Sequence, residues 1–240
     1  MESLKASSTA IKNLKKEYLL KKERIGQRLK DFDDFYNKHC SWFFGNNAME
    51  LRKADKPDDE RLFEELCFCI LTANTSAEMG MRAIDAIRGL LVNGSAEQMS
   101  KKLDGIYRFN NLRPAYIVHT RNYLQTELNF RLKEKIESLR NDAEALRDFF
   151  AFNEGIKGLA YKEASHFLRN IGIKGYAILD KHILNSLLEF GVIQEPKRPS
   201  TRAKYREIEH KMRLFSNEIE IPMDELDLLF WSRRNGKILK

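Results

Sequence analysis

By residue type and spacing, Lys162 and Asp180 are the pair in this chain best suited to making and breaking a covalent bond. Lys162 follows a short turn, Lys157-Gly158-Leu159-Ala160, and Asp180 comes eighteen residues later. A neutral lysine amine is a nucleophile. Directed at C1′ of a deoxyribose, it would expel the base and leave a Schiff base. That intermediate acidifies the 2′ proton, so the 3′ phosphate can depart by β-elimination. A nearby carboxylate such as Asp180 would offset positive charge building on the sugar, or take a proton from the attacking amine. Each residue also has a plainer reading. Lys162 equally fits a surface lysine that touches phosphate. Asp is a favoured helix N-cap, and a helix starting at Lys181 would want one there anyway.

The turn before Lys162 has chemistry of its own. A tight hairpin between two helices aims several backbone N–H groups and a helix N-terminus at one point, which attracts a phosphate. Lys157, Gly158 and Ala160 are the candidate contacts, with Gly158 allowing close approach of a nucleic-acid backbone. His182 is a further candidate phosphate contact, and His166 reads as a packed side chain. Neither histidine has neighbouring carboxylates at metal-ligand spacing, and Cys67-x-Cys69 lacks a second pair, so no metal is expected.

The elements that must position these residues are helical. Apolar residues recur at helical spacing and no sustained strand alternation is found, so the expected fold class is all-α. Leu62 to Leu71 marks a deeply buried helix, and Met79 to Leu91 the next, ended by Asn93-Gly94. Pro114 opens another helix. Leu139–Phe152, Lys162–Asn170, Lys181–Phe190 and Met223–Arg234 follow. Breaks at Lys56-Pro57 and Glu195-Pro196 suggest three segments: a basic helical segment over 1–58 packing with the C-terminal part, a central subdomain over 59–152, and a hairpin-bearing subdomain over 153–240. Two helical subdomains should flank a cleft wide enough for DNA.

Composition narrows the class. The 240 residues are 42% hydrophobic, enough for a sizeable core, and no apolar run reaches the 18 or so residues of a membrane span. No secretory signal is evident, and three cysteines (Cys40, Cys67, Cys69) read as buried thiols in a reducing compartment. The expectation is an intracellular, monomeric protein without a membrane role. The net charge is +7, and residues 1–30 hold nine Lys/Arg against three Glu. Such an arm suits a polyanion, and equally a solvated helix. Lys197 to Lys211 is a second basic run with the same two readings.

Ile156 to Lys162 followed by Leu179-Asp180-Lys181-His182 resembles the helix-hairpin-helix DNA glycosylase superfamily that includes endonuclease III. Tyr161 to Asn170, with Trp231 to Lys240, narrows the resemblance to the type-2 8-oxoguanine DNA glycosylase/lyases. Arg108-Phe109 and Leu71 to Ala77 look similar to the same group. The likeness covers roughly residues 60–240. It departs at Ala160, where the superfamily usually has a second glycine, and it lacks the optional iron–sulfur loop. It implies that Lys162 is the Schiff-base nucleophile and Asp180 its catalytic partner, with no cofactor, acting on double-stranded DNA containing 8-oxoguanine.

The same resemblance gives the tail a role. Trp231 would stack on a flipped base, and the α-carboxylate of Lys240 would accept hydrogen bonds from the N1–H and 2-amino group of a guanine-type base. Phe109 is the candidate opposite face of that sandwich, core packing being the alternative. Asn74 would enter the gap left by the flipped base, or else cap the helix from Ala77. Two rivals remain: a glycosylase for another oxidised base, and a non-catalytic module that grips phosphates only.

Overall fold

A computed structural model describes residues 8–45, 48–236 and 238. Among them the chain is helical, with one two-stranded exception. Helix α1 spans Ser8–Asn37, and strands β1 (Cys40–Gly45) and β2 (Ala48–Lys53) form an antiparallel hairpin in which Trp42 faces Leu51. The all-α expectation therefore holds with this small sheet added. Its local signal was the aromatic run Trp42-Phe43-Phe44 followed by Gly45-Asn46-Asn47.

The contacts divide the chain into two compact units, one comprising residues up to Asp33 and from Ile173 onward, the other Asp34–Gly172. Residues 34–58 and 153–172 thus group with the central helices. For 34–58 the reason is a buried cation. Arg61 donates to the carbonyls of Phe35 and Cys40 and pairs with Asp58, which also binds His39 and Lys133.

In the central unit α2 (Asp58–Thr72) is the axis. Pro57 precedes it and Asp58, Asp59 and Glu60 favour its first turn, where the helix dipole welcomes negative charge. From Arg61 to Thr72 every residue is buried. Leu62, Phe63, Leu66, Phe68 and Ile70 lie at 0–1% exposure, each worth about 1.5–3 kcal/mol of apolar burial. Cys67 and Cys69 are buried here, and burial pushes the Cys67 thiol up.

Around α2 lie α3 (Ala77–Ile87), α4 (Ala96–Leu103), α5 (Leu112–Leu128), α6 (Leu132–Leu139), α7 (Ala143–Phe152) and α8 (Tyr161–Asn170). The helix expected over Leu139–Phe152 is instead two elements. Leu139 ends α6, while Asp142 is extended and its side chain accepts the N–H groups of Glu144 and Ala145, starting α7. Ser95 and Gln98 build a reciprocal capping box on α4. His166 packs edge-on against Phe68 at 5.9 Å, as a packed side chain should.

The other unit holds α9 (Lys181–Glu189), α10 (Arg202–Glu218) and α11 (Met223–Asn235) with the first part of α1. Phe190 stacks on Phe230 and Phe215 in its core. Helix α1 buries Leu14, Tyr18 and Ile25 and bonds to the C-terminal segment through its polar side chains. Lys15 pairs with Glu220, Tyr18 binds Glu225, and Lys21 reaches both Glu17 and Ser232. The second basic run from Arg202 onward becomes the N-terminal half of α10, capped by Thr201, with Lys197 and Arg198 ahead of the helix.

Candidate functional site

The candidate residues fall in both units, and each group is built locally. In the central unit, the turn from Asn153 to Ala160 docks on one face of α5. Asn153 folds the turn onto itself by accepting the Gly155 N–H, and donates to the Tyr123 hydroxyl at 2.7 Å. His119 donates to the Glu154 carbonyl, and Thr120 accepts the Lys157 N–H at 3.0 Å. Tyr123 lies so close under Gly155 that an added Cβ would meet its ring at 2.1 Å. Gly158 has φ +84° and rests against Tyr116 and Arg113. Both features require glycine, one for space and one mainly for conformation. Arg113, Tyr116, Thr120 and Tyr123 recur at three- and four-residue steps, so α5 presents one stripe to the turn.

Because the turn is held from behind, its outer face stays open. Lys157 and Ala160 are exposed, and Ile156 and Leu159 are buried. The turn delivers the chain to α8, whose first turn carries Lys162. Ala160 at the cap has no side-chain acceptor, so only half a capping box exists: the Glu163 carboxylate accepts the Ala160 N–H at 3.3 Å. The same carboxylate holds the Lys162 amine at 2.9 Å, and the lysine is half-buried. Glu163 therefore marks this helix N-terminus as a place where negative charge is stabilised next to the amine. Sequence reading did not single it out, although an acidic residue three after the cap was a visible signal.

Asn74 and Phe109 also belong to this unit. Asn74 is exposed in the turn after α2 with φ +63°, a left-handed conformation that asparagine tolerates. The cap of α3 is Ser76, whose hydroxyl accepts the Met79 N–H, so the capping alternative for Asn74 is removed. Phe109 is half-buried and edge-on to Tyr107 at 6.1 Å. It is partly packed and partly presented. Burial pushes the Tyr107 hydroxyl up to about 12 while Arg113 pulls it the other way; that hydroxyl donates to the Leu71 carbonyl.

Asp180 lies in the other unit. Its Oδ1 accepts the N–H groups of both His182 and Ile183 at 2.8 Å, making it the N-cap of α9 as expected. Both bonds use one oxygen, which leaves Oδ2 outside the cap. The segment leading to it, Gly175 to Leu179, is held by polar side chains. Glu209 accepts the Ala177 N–H at 2.8 Å. The Tyr205 hydroxyl accepts the Leu179 N–H and donates to the Ala177 carbonyl. Arg213 donates to the Gly175 carbonyl and Asp224 accepts its N–H. Tyr205, Glu209 and Arg213 repeat every four residues on α10. His182 and Trp231 are both half-buried in this unit, Trp231 near the end of α11. Lys240 lies outside the described residues.

The structure thus groups Lys162 with Lys157, Gly158, Ala160, Asn74 and Phe109 in one unit, and Asp180 with His182 and Trp231 in the other. Sequence reading missed the two helix faces that hold the turns. Among the described residues no cluster of histidine, cysteine or carboxylate side chains could hold a metal ion, and no helix is long and apolar enough to cross a membrane.

Comparison with known proteins extends this picture. The family model described as 8-oxoguanine DNA glycosylase matches residues 44–221. An 8-oxoguanine DNA glycosylase/AP lyase of Methanocaldococcus jannaschii is 38% identical over 213 residues, covering 88% of this chain and 99% of that protein. One from Fusobacterium nucleatum is 38% identical over 207 residues, 85% of this chain and 94% of that protein. The crystal structure of the M. jannaschii 8-oxoguanine glycosylase/lyase in complex with a 15mer DNA containing 8-oxoguanine superposes with a TM-score of 0.77 at 37% identity. That match covers 95% of this chain and 99% of the other.

Proposed function

Since the chain belongs to the 8-oxoguanine DNA glycosylase family, we propose that it excises 8-oxoguanine from double-stranded DNA and cuts the strand beside the vacated sugar. The Lys162 amine attacks C1′, and the bond from C1′ to the base breaks. The base leaves with that electron pair and takes up a proton. The sugar ring opens to an iminium on the lysine. Loss of a 2′ proton then forms a carbon–carbon double bond as the 3′ phosphate departs, and water releases the lysine from the sugar remnant. The Asp180 carboxylate offsets the cation that develops on the sugar. The observation that carries this reading is Lys162 itself, half-buried in the first turn of the helix that a docked hairpin opens.

Other roles follow the same chemistry. Lys157, Gly158, Ala160 and His182 bind phosphates and so carry no sequence information. Asn74, projecting from a left-handed turn, fills the gap in the duplex. Trp231 and Phe109 stack on the extruded base, a contact worth roughly 1–3 kcal/mol per aromatic, and Lys240 reads its guanine edge. We also read the protein as a monomer, and as intracellular, the second supported by its free cysteines.

Borohydride trapping tests this reading. Duplex DNA with one 8-oxoguanine should yield a covalent protein–DNA band, and Lys162→Gln should reduce it about 10³-fold or more. A mutant that still crosslinks efficiently would remove Lys162 as the nucleophile.

A further inference from the structure

Arg113 is 7% exposed on α5 and lies beside the Asn74 turn, the Phe109 ring and the hairpin. Its Nη2 donates to the Ala73 carbonyl at 3.1 Å, the residue before Asn74. Its guanidinium lies 5.4 Å from the Phe109 ring centroid and 5.5 Å from that of Tyr116. Its Nη1 is 3.1 Å from where a Cβ on Gly158 would stand. It also neighbours the Tyr107 hydroxyl. One rigid, planar cation thus joins the Asn74 turn, the Phe109 ring and the back of the hairpin.

Packing alone does not call for such a residue. Its Nε is buried without a hydrogen-bond partner. A buried unsatisfied donor is costly, and a charged one more so. Phe109 also carries the guanidinium of Arg108 at 5.0 Å. Arg108 is exposed, so an arriving base can displace it. Arg113 is buried and stays.

We propose that Arg113 is the positioning residue for base recognition: it fixes the orientation of Phe109 and the register of the Asn74 turn relative to the hairpin. The inference rests on Phe109 being a face of the base pocket, as proposed above. Arg113 touches no reacting atom in this account. It lowers the reorganisation that base capture would otherwise need, as a preorganised first layer requires support from a second. Lysine cannot replace it fully, because an ammonium is a compact point charge without the planar fork that meets two rings while donating to a carbonyl.

Single-turnover rates on two substrates test this, with melting temperature and circular dichroism recorded for each variant. The substrates are duplexes carrying 8-oxoguanine or a preformed abasic site. Arg113→Met should slow base excision about 30-fold, the size of a desolvated cation–π contact plus one hydrogen bond. Strand cleavage at the abasic site should fall at least tenfold less. Arg113→Lys should lie between, and supplies the test if the methionine variant does not fold. In a Phe109→Ala background the Arg113 change should add less than about threefold, because the ring it orients is gone. Equal loss in both reactions, or effects of the two changes that simply multiply, would overturn the proposal. If Phe109→Ala alone leaves excision intact, the base-pocket reading falls and this inference with it. A Phe109→Ala defect without coupling to Arg113 sinks the inference alone.

Discussion

The turn before Lys162 and the loop before Asp180 are held by different means. The first takes side-chain bonds from Thr120, His119 and Tyr123 but is docked above all through absence. Gly155 and Gly158 have no side chains, so the rings of Tyr123 and Tyr116 press up beneath the backbone. The second is docked through presence. Glu209, Tyr205, Arg213 and Asp224 reach out to satisfy the peptide groups from Gly175 to Leu179. The difference suits the roles proposed for the two segments. A turn proposed to meet a phosphate keeps Lys157 and Ala160 exposed, with its support behind it. A segment proposed to act through the Asp180 carboxylate can spend its backbone groups on α10.

The two segments should fail differently when their supports are changed. The largest loss should follow Gly155→Ala. Its Cβ would lie 2.1 Å from the Tyr123 ring, which is backed by α5 and cannot withdraw cheaply. Overpacking of this kind costs about 3 kcal/mol. Thermal melting should show it, and Tyr123→Ala in the same chain should restore much of it by making room. If Gly155→Ala melts like the parent, the docking of this turn is looser than described.

Next comes Glu209→Ala. It leaves the buried Ala177 N–H without its acceptor, and a lost charge-assisted bond of this kind costs roughly 2 kcal/mol. Tyr205→Phe is milder in volume but removes a hydroxyl that both accepts and donates, at about 1–2 kcal/mol. Both variants should slow excision more than they weaken binding to duplex DNA, because they loosen the loop that carries Asp180 and leave the hairpin untouched. A binding loss larger than the rate loss would contradict the division of labour between the two segments.

What could be read from the chain divides along the same line. Local features were legible. The Asp180 cap, the helix behind Lys162 and the stop near Gly172 follow from residues within a few positions of each other. Asp142 is an equally local signal, and its extended backbone makes two helices where the apolar spacing predicts one. The β1–β2 hairpin carried a local signal in its aromatic run and the Gly45-Asn46-Asn47 that follows, but three aromatic residues in a row do not alternate apolar with polar, so a search for alternation misses it. The docking faces were not legible in principle. That Arg113, Tyr116, Thr120 and Tyr123 form a stripe can be counted, but which loop the stripe receives is decided by how α5 packs on α2. The same holds for Tyr205 and Glu209, whose partners lie 26 and 32 residues away in sequence.

Asp180→Asn should disturb the fold least and so separates the two jobs of that residue. Asparagine caps helices about as well as aspartate, and its carbonyl oxygen can accept the same two N–H groups that Oδ1 takes now. Only the charge at the helix N-terminus is lost, worth about 0.3–1 kcal/mol, so the melting temperature should barely move. The chemistry should respond far more. Removing a charge that stabilises a developing cation costs on the order of 10²-fold in rate. Asp180→Ala supplies the contrast: it loses cap and charge together, and should cost about 1 kcal/mol of stability on top of the same rate loss. Differential melting and single-turnover excision on the three proteins would decide the matter. If Asp180→Asn cleaves like the parent, the carboxylate is a cap and nothing more, and the partner of Lys162 must be sought elsewhere in the chain.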